Sequence, residues 1–245
     1  EAITVKIFPN QDGKLDPQFR REAMILSHLG KKAGIVAMLA VTVHEQMASI
    51  AFQLFPSTLR AYLAATPSLT LSDKNNLIRD ICKAVKTIHT SGVAHLDLNL
   101  ENILIDESNG CVSLCNFGNS YMAPKKPEEK GIIPVVVESL RKKFPAPETM
   151  TSNSYNPFQA DIYSLGCIFH YIYKGDALCG ARVADQHLTP DAAVLIEMML
   201  DLSPKQRPNI EEVIRHSIST AKSPWKVIRM ISPTQLIRRR RFTVS

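Results

Sequence analysis

The spacing of apolar residues changes near residue 57, and this change limits the fold more than any other feature of the chain. Residues 2–8 alternate in the way that is typical of a β-strand. The stretches 34–45 and 47–55 do the same, which predicts a hairpin that turns near Glu45–Gln46. Before residue 57, only 15–29 has helical spacing.

From residue 57 onward, most apolar residues recur at helical spacing. The longest segment predicts a helix with Ser72 as its N-cap and Gly92 as its stop. Its predicted buried stripe is Leu77, Ile78, Ile81, Cys82, Val85 and Ile88. Shorter helices are predicted over 57–64, 158–175, 190–202 and 209–218, and two short strands over 102–106 and 112–116. Asn209 and Glu212 have the spacing of a capping box.

Strands first and helices later predict an α+β protein with two lobes. The predicted division is a small lobe over residues 1–56, a helical lobe over 57–222 and a basic tail over 223–245. The chain has 245 residues, 45% of them hydrophobic, which is enough for a sizeable core.

Several locations and structural classes are disfavoured by the sequence. The longest apolar run, residues 33–43, is too short to span a bilayer. No charged-then-apolar leader opens the chain, so we do not expect secretion. Five cysteines without CxxC spacing are expected to be reduced core thiols, as in a cytosolic or nuclear protein. The opening residues are typical of the middle of a strand, which leaves open whether further chain precedes them.

The net charge of +6 is concentrated in the tail. Residues 223–245 contain six bases, including Arg238, Arg239, Arg240 and Arg241, and no acid. The remaining residues carry 23 bases and 23 acids, so they are neutral overall. A folded face that binds nucleic acid would need bases within the folded body, so such a face is not expected, and nucleic acid is disfavoured as a partner.

The stretch "HLDLNLEN", residues 95–102, resembles the catalytic loop of eukaryotic protein kinases, whose pattern is His-Arg-Asp-Leu-x-x-x-x-Asn. Five further elements follow or precede it in the order of that family. They are Lys6 with Glu22, "NFG" at 116–118, "APE" at 146–148, "QADIYSLGCIF" at 159–169 and "SPKQRPNIEEVIRH" at 203–216. The resemblance covers residues 2–217 and implies a protein-kinase-like bilobal fold.

The resemblance also implies roles for single residues. Lys6 would bridge the phosphates of ATP while Glu22 holds it, and Asp97 would orient the attacking hydroxyl. Asn102 and Asn116 would be the ligands of magnesium. Phe52 would lie behind the adenine, with hinge backbone groups from Gln53 and Leu54. The residues expected to maintain the fold without taking part in the chemistry are His95, Phe117, Gly118, Glu148, Asp161 and Arg207.

Four departures from the family pattern bear on activity. Asn116 stands where the family has an aspartate, so the metal loses a full charge. A deficit of about 4 kcal/mol would slow transfer about a thousandfold. Asn99 replaces a lysine that neutralises the transferring phosphoryl group, and Leu96 replaces an arginine. No glycine-rich loop lies in the five residues before Lys6, which leaves open whether one lies upstream. Binding of ATP and magnesium is therefore expected to be weak or absent.

Three functions remain open from the sequence. The first is a pseudokinase that acts as a scaffold or allosteric regulator of another signalling protein, such as an active kinase. The second is a slow serine/threonine kinase that uses Lys6, Asp97 and Asn102. The third is binding of nucleic acid or anionic lipid through the arginine tail. Other interpretations of the tail are a solvated flexible end, a nuclear-import signal and a phosphorylation site for basophilic kinases.

Ordinary structural roles for single residues also remain open. Without the downstream motifs, Lys6 and Glu22 would be interpreted as an ordinary exposed lysine of a strand and an ordinary acid of a helix. His95 is expected to pack in the core, and Asp97 to be either a catalyst or a structural acceptor.

Overall fold

The computed structural model describes residues 3–11, 14–106, 110–124, 143–152, 154–175 and 189–218. The predicted tail over 223–245 and Cys179 lie outside the described residues. The helices are α1 Pro17–Leu29, α2 Leu59–Ala65, α3 Leu71–Thr90, α4 Glu148–Thr151, α5 Pro157–Lys174, α6 Pro190–Met199 and α7 Ile210–Ile218. The strands are β1 Ile3–Gln11, β2 Lys14–Leu15, β3 Met38–Val43, β4 Met47–Gln53, β5 Ser57–Thr58, β6 Val93–Ala94, β7 Ile103–Asp106, β8 Cys111–Leu114 and β9 Tyr121–Met122.

The N-terminal region is an antiparallel sheet in the order β2-β1-β4-β3, with α1 against one face. Phe8 of β1 and Phe19 of α1 meet edge to face, with ring centroids 5.4 Å apart. The hairpin turn at Glu45–Gln46 is confirmed by the hydrogen bond from His44 N to Met47 O. Sheet first and helices later give the predicted α+β class.

The start of α1 is fixed by its own sequence. The carboxylate of Asp16 accepts hydrogen bonds from the backbone amides of Gln18 and Phe19, at 2.6 and 3.3 Å. Pro17 occupies the first turn, where an amide hydrogen has no helical partner. This cap defines the first residue of α1, the helix that carries Glu22 to its contact with Lys6 of β1.

The predicted N-cap of α3 was wrong. The cap is Thr70, and its side chain and that of Asp73 each accept from the other residue's backbone amide, which is a capping box. Ser72 lies inside the first turn because the residue three positions after it, Asn75, has no carboxylate to complete such a box. The predicted stripe is buried except for Leu77, which is partly exposed.

The two regions approach closely at Gly34. A side chain at this position would place its Cβ 2.7 Å from the Cβ of Ala84 in α3, and its φ is +83°. The loop around it is tied to β8, because Leu114 N donates to Gly34 O and Val36 N donates to Leu114 O. Glycine at this position therefore lets the sheet and the helical region pack together.

The cysteine prediction was right in part. Cys82 and Cys167 are buried, and Cys115 is partly buried, but Cys111 is exposed at the start of β8. Among the described residues, no helix is long and apolar enough to cross a bilayer.

Candidate active site

Lys6 and Glu22 form the ion pair that the sequence predicts. Lys6 Nζ lies 2.7 Å from Glu22 Oε2, and the Glu22 side chain is 1% exposed. The second oxygen, Glu22 Oε1, accepts from the backbone amide of Phe117 at 3.1 Å. One buried carboxylate thus connects β1, α1 and the turn that begins the "NFG" motif.

Asn116 links Lys6 to Asn102. Lys6 Nζ donates to Asn116 Oδ1 at 2.8 Å, Asn116 Nδ2 donates to Asn102 Oδ1 at 3.1 Å, and Asn102 Nδ2 donates to Asp97 O at 2.7 Å. The orientation of both amides is fixed from the two ends, because a lysine can only donate and a carbonyl can only accept. Asn116 is in the left-handed region with φ +66°, which asparagine tolerates.

These amides do not fit the predicted magnesium site. The oxygens of Asn102 and Asn116 both accept hydrogen bonds from protein donors, and Asn116 turns its NH2 group toward Asn102. A divalent cation needs oxygens converging on it, and charged oxygens above all. Across the described ranges, no group of three or more histidine, cysteine or acidic side chains is placed to hold a metal.

Asp97 lies in the loop between β6 and β7, with amide donors near both carboxylate oxygens. Asn99 Nδ2 lies 3.1 Å from Asp97 Oδ1, and Asn119 Nδ2 lies 3.5 Å from Asp97 Oδ2. Asn99 also accepts from the backbone amides of Glu101 and Asn102, at 2.9 and 3.1 Å. Asn99 therefore holds the loop together, a role that sequence reasoning missed because it considered only the absent lysine.

His95 packs in the core, as predicted. Its Nε2 donates to the carbonyl of Cys115 at 2.8 Å, and its Nδ1 accepts from the backbone amide of Asp97 at 3.2 Å. These two partners fix a neutral tautomer, since one ring nitrogen must donate and the other accept. The fully buried ring of Phe117 lies against it, with centroids 4.9 Å apart.

The "NFG" turn is also held from α1. Gly118 has Gln18 so close that an added Cβ would lie 3.2 Å from Gln18 Cβ. Arg21 donates to the carbonyl of Gly118 at 3.3 Å. Burial lowers the pKa of the Arg21 guanidinium from its usual value.

Asp161, at the head of α5, caps the catalytic-loop backbone. Its carboxylate accepts from His95 N at 2.7 Å and from Leu96 N at 2.8 Å, and His89 Nε2 lies 2.9 Å away. Leu96 has φ +60° and is buried, a conformation that costs a leucine about 1 kcal/mol or more. Asp161 stabilises that strained position.

Glu148 and Arg207 form a buried ion pair, called the lock below. Arg207 Nη1 and Nη2 lie 2.6 and 2.8 Å from the two oxygens of Glu148, and the Arg207 side chain is 0% exposed. Arg207 also donates to the carbonyls of Asp201 and Gln159, both at 2.8 Å. The pair joins the "APE" motif to the turn before α7.

Glu101 forms an ionic cluster that sequence reasoning missed. Its Oε1 binds both Arg60 of α2 and Lys143. Burial alone would raise the pKa of the Glu101 carboxyl, but hydrogen bonds from Lys143 and Arg60 outweigh it and hold the pKa below its usual value. The basic residues lie 41 and 42 positions away, so no local spacing could have indicated the contact.

The three predicted hinge residues lie where the sheet ends. Phe52 is buried in β4, Gln53 is its last residue, and Leu54 follows exposed in the connection to β5. Their proposed contact with adenine stays a prediction.

The chain is similar to known proteins over most of its length. The family model described as "Protein kinase domain" matches residues 1–218. "Hormonally up-regulated neu tumor-associated kinase homolog A" of Xenopus laevis is 25% identical over 240 residues, which covers 87% of this chain and 33% of that protein. "Testis-specific serine/threonine-protein kinase 5" of Mus musculus is 28% identical over 167 residues, covering 63% and 43% respectively. The chain thus spans well under two thirds of the length of either relative.

Proposed function

The chain belongs to the protein kinase family, and we propose that within this family it is a pseudokinase that works as a binding module. Its partner would be another signalling protein, such as an active kinase that it scaffolds or regulates. The observation that carries the proposal is the amide of Asn116, which joins Lys6 to Asn102.

This amide opposes metal-dependent chemistry in two ways. It brings no charge to a divalent cation, and it presents an NH2 group to the oxygen of the other predicted ligand. Phosphoryl transfer depends almost entirely on positioning and charge stabilisation, so weak retention of the metal removes most of the available catalysis. Asn99 adds no positive charge near Asp97, and its amide is engaged in holding the loop.

The same contacts support a role in binding. Lys6, Glu22, Asn116 and Asn102 connect the sheet, α1 and the catalytic loop through side chains of the protein itself. The arrangement therefore needs no nucleotide to hold it together. A surface built on this arrangement would be available to a partner whether or not ATP is present.

A second candidate function is a slow serine/threonine kinase. It is favoured by the Lys6–Glu22 pair and by the position of Asp97, which is partly exposed. In that case Asp97 would orient a substrate hydroxyl, and a single cation would have to displace Asn116 from Asn102.

Calorimetry with ATP, with and without magnesium, tests the proposal on the full chain. We expect weak or absent binding that magnesium does not strengthen, and no transfer of labelled phosphate to a general protein substrate. Transfer that requires magnesium and is abolished by Asp97→Ala would establish the second candidate instead.

A further inference from the structure

One face of α6 exposes apolar side chains that the described residues leave uncovered. Val194, Met198 and Leu202 are 53%, 36% and 66% exposed. Val194 and Met198 are four residues apart on the helix, so they lie along one side, and Leu202 follows beyond the C-terminal end of α6. The opposite side packs inward through Leu195 and Met199. Exposed apolar patches of this kind mark interaction sites.

The same face is acidic. Asp191 and Glu197 are exposed, and Asp201 follows α6 in a partly exposed position. At 100° per residue, Asp191 and Glu197 lie on either side of Val194. α6 contains no lysine or arginine, and Lys205 is the first base after it. The chemistry of the surface therefore fits a segment that is apolar and basic together.

A small cavity lies on the inward side of α6, near its N-terminal end, between α3, α5, α6 and α7. Ile78, Phe169, Leu195 and Ile196 line it together with Asp191 and His216. His216 is two residues before the end of α7, so the chain leaves the described structure beside this cavity. The acidic apolar face and the cavity share α6.

The sequence that follows α7 has the complementary composition. Residues 219–245 contain seven bases and no acid, with apolar residues between them. They include Trp225, the single tryptophan of the chain. α6 is roughly 15 Å long, whereas the 20 residues from 219 to 238 reach about 65 Å when extended. The segment is therefore long enough to lie along α6.

We propose that residues 219–245 of this chain dock on the outer face of α6, with Trp225 against Val194 and Met198 and the arginines against Asp191 and Glu197. The contact is intramolecular. It covers the apolar patch and places basic side chains against the acids of α6. The inference does not depend on whether the protein transfers phosphate.

Fluorescence of Trp225 in the full chain tests the proposal, because no other tryptophan contributes. We expect emission at the short wavelengths of a buried indole and slow quenching by acrylamide. The double variant Val194→Glu/Met198→Glu should shift the emission to longer wavelength and raise quenching severalfold. The matched control is Val5→Glu/Ile7→Glu, which alters exposed apolar residues of β1 and should leave both signals unchanged.

A second experiment reverses the charges on the two sides of the proposed contact. Asp191→Lys/Glu197→Lys should release the indole, and reversing Arg238–Arg241 to glutamate in the same chain should restore its protection. Glu45→Lys, in the exposed hairpin turn, is the control. Emission like that of free tryptophan in the unmodified chain would overturn the proposal, as would protection that the α6 variants do not change. Protection lost on dilution would assign the contact to a second copy and would equally overturn the intramolecular form.

Discussion

Lys6 Nζ lies 2.8 Å from Asn116 Oδ1, although 110 residues separate them in sequence. The contact places a lysine of the sheet against the first residue of the "NFG" motif. Because the same amide donates to Asn102, the cleft between the two regions is bridged by side chains of the protein.

The first prediction concerns Asn116→Asp. A carboxylate cannot donate to Asn102 Oδ1, so this hydrogen bond is lost in the variant, whereas the contact with Lys6 becomes an ion pair. The two facing oxygens would then attract a divalent cation. Adding magnesium and ATP should raise the thermal midpoint of the variant but not that of the original protein. Asn116→Gly, which also adopts positive φ, is the control and should show no response to magnesium.

The second prediction concerns the buried lock. Glu148→Ala leaves the guanidinium of Arg207 without its counter-ion at a position that water does not reach, and should cost about 3–5 kcal/mol in urea unfolding. Glu211→Ala removes an exposed pair with Lys86 and should cost about 1 kcal/mol or less. Equal effects of the two substitutions would contradict the structural role of the lock.

Sequence patterns predicted the elements well but placed one cap wrongly. Asn209 and Glu212 form the predicted capping box, with both hydrogen bonds present. At α3, Thr70 and Ser72 are both capping residues, and the choice depends on the acid three positions later. Only Thr70 has one, namely Asp73. Attention to that spacing would have identified the correct cap.

The contacts of the candidate site could be predicted from the sequence only in part. Lys6 and Glu22 were paired from their positions in the family pattern, and the structure confirms the contact. The sequence showed that Asn116 lacks a charge. It could not show which amide atom faces Asn102, because that orientation is set by a lysine 110 residues away. The sequence likewise showed only that Asn99 stands in place of a lysine. Its hydrogen bonds could not be predicted, because they depend on the path of the loop.

The third prediction concerns Asp161, which accepts hydrogen bonds from the amides of His95 and Leu96 and contacts His89. Asp161→Ala leaves these donors buried without a partner and should cost about 3 kcal/mol or more. Asp161→Asn keeps the shape of the side chain and one accepting oxygen, so it should lower the free energy of unfolding by less than Asp161→Ala does. Urea unfolding measures both, and a smaller loss for alanine than for asparagine would contradict the cap.

The fourth prediction concerns thiol reactivity. Burial, followed by the charge of Glu22, raises the pKa of the Cys115 thiol to about 12, so almost no thiolate exists near neutral pH. Cys111 is exposed. Iodoacetamide at mildly alkaline pH should therefore label Cys111 and leave Cys115 unmodified, as read by mass spectrometry. Unfolded protein, in which both react, is the control; equal labelling in the folded protein would refute the expectation.

The fifth prediction concerns pH and Glu101. Its carboxyl has a lowered pKa in the folded protein because of Lys143 and Arg60, although burial acts in the opposite direction. A lowered folded pKa stabilises the protein above the unfolded value, and this stabilisation is lost as pH falls through the folded pKa. Glu101→Gln should therefore be less stable than the original protein at neutral pH, by about 1 kcal/mol or less because the group is one third exposed. The difference should shrink in urea unfolding below the ordinary carboxyl pKa of about 4.3. Glu45→Gln, in the exposed turn, should show no difference at either pH, and a Glu101→Gln deficit that grows in acid would reverse the assigned sign.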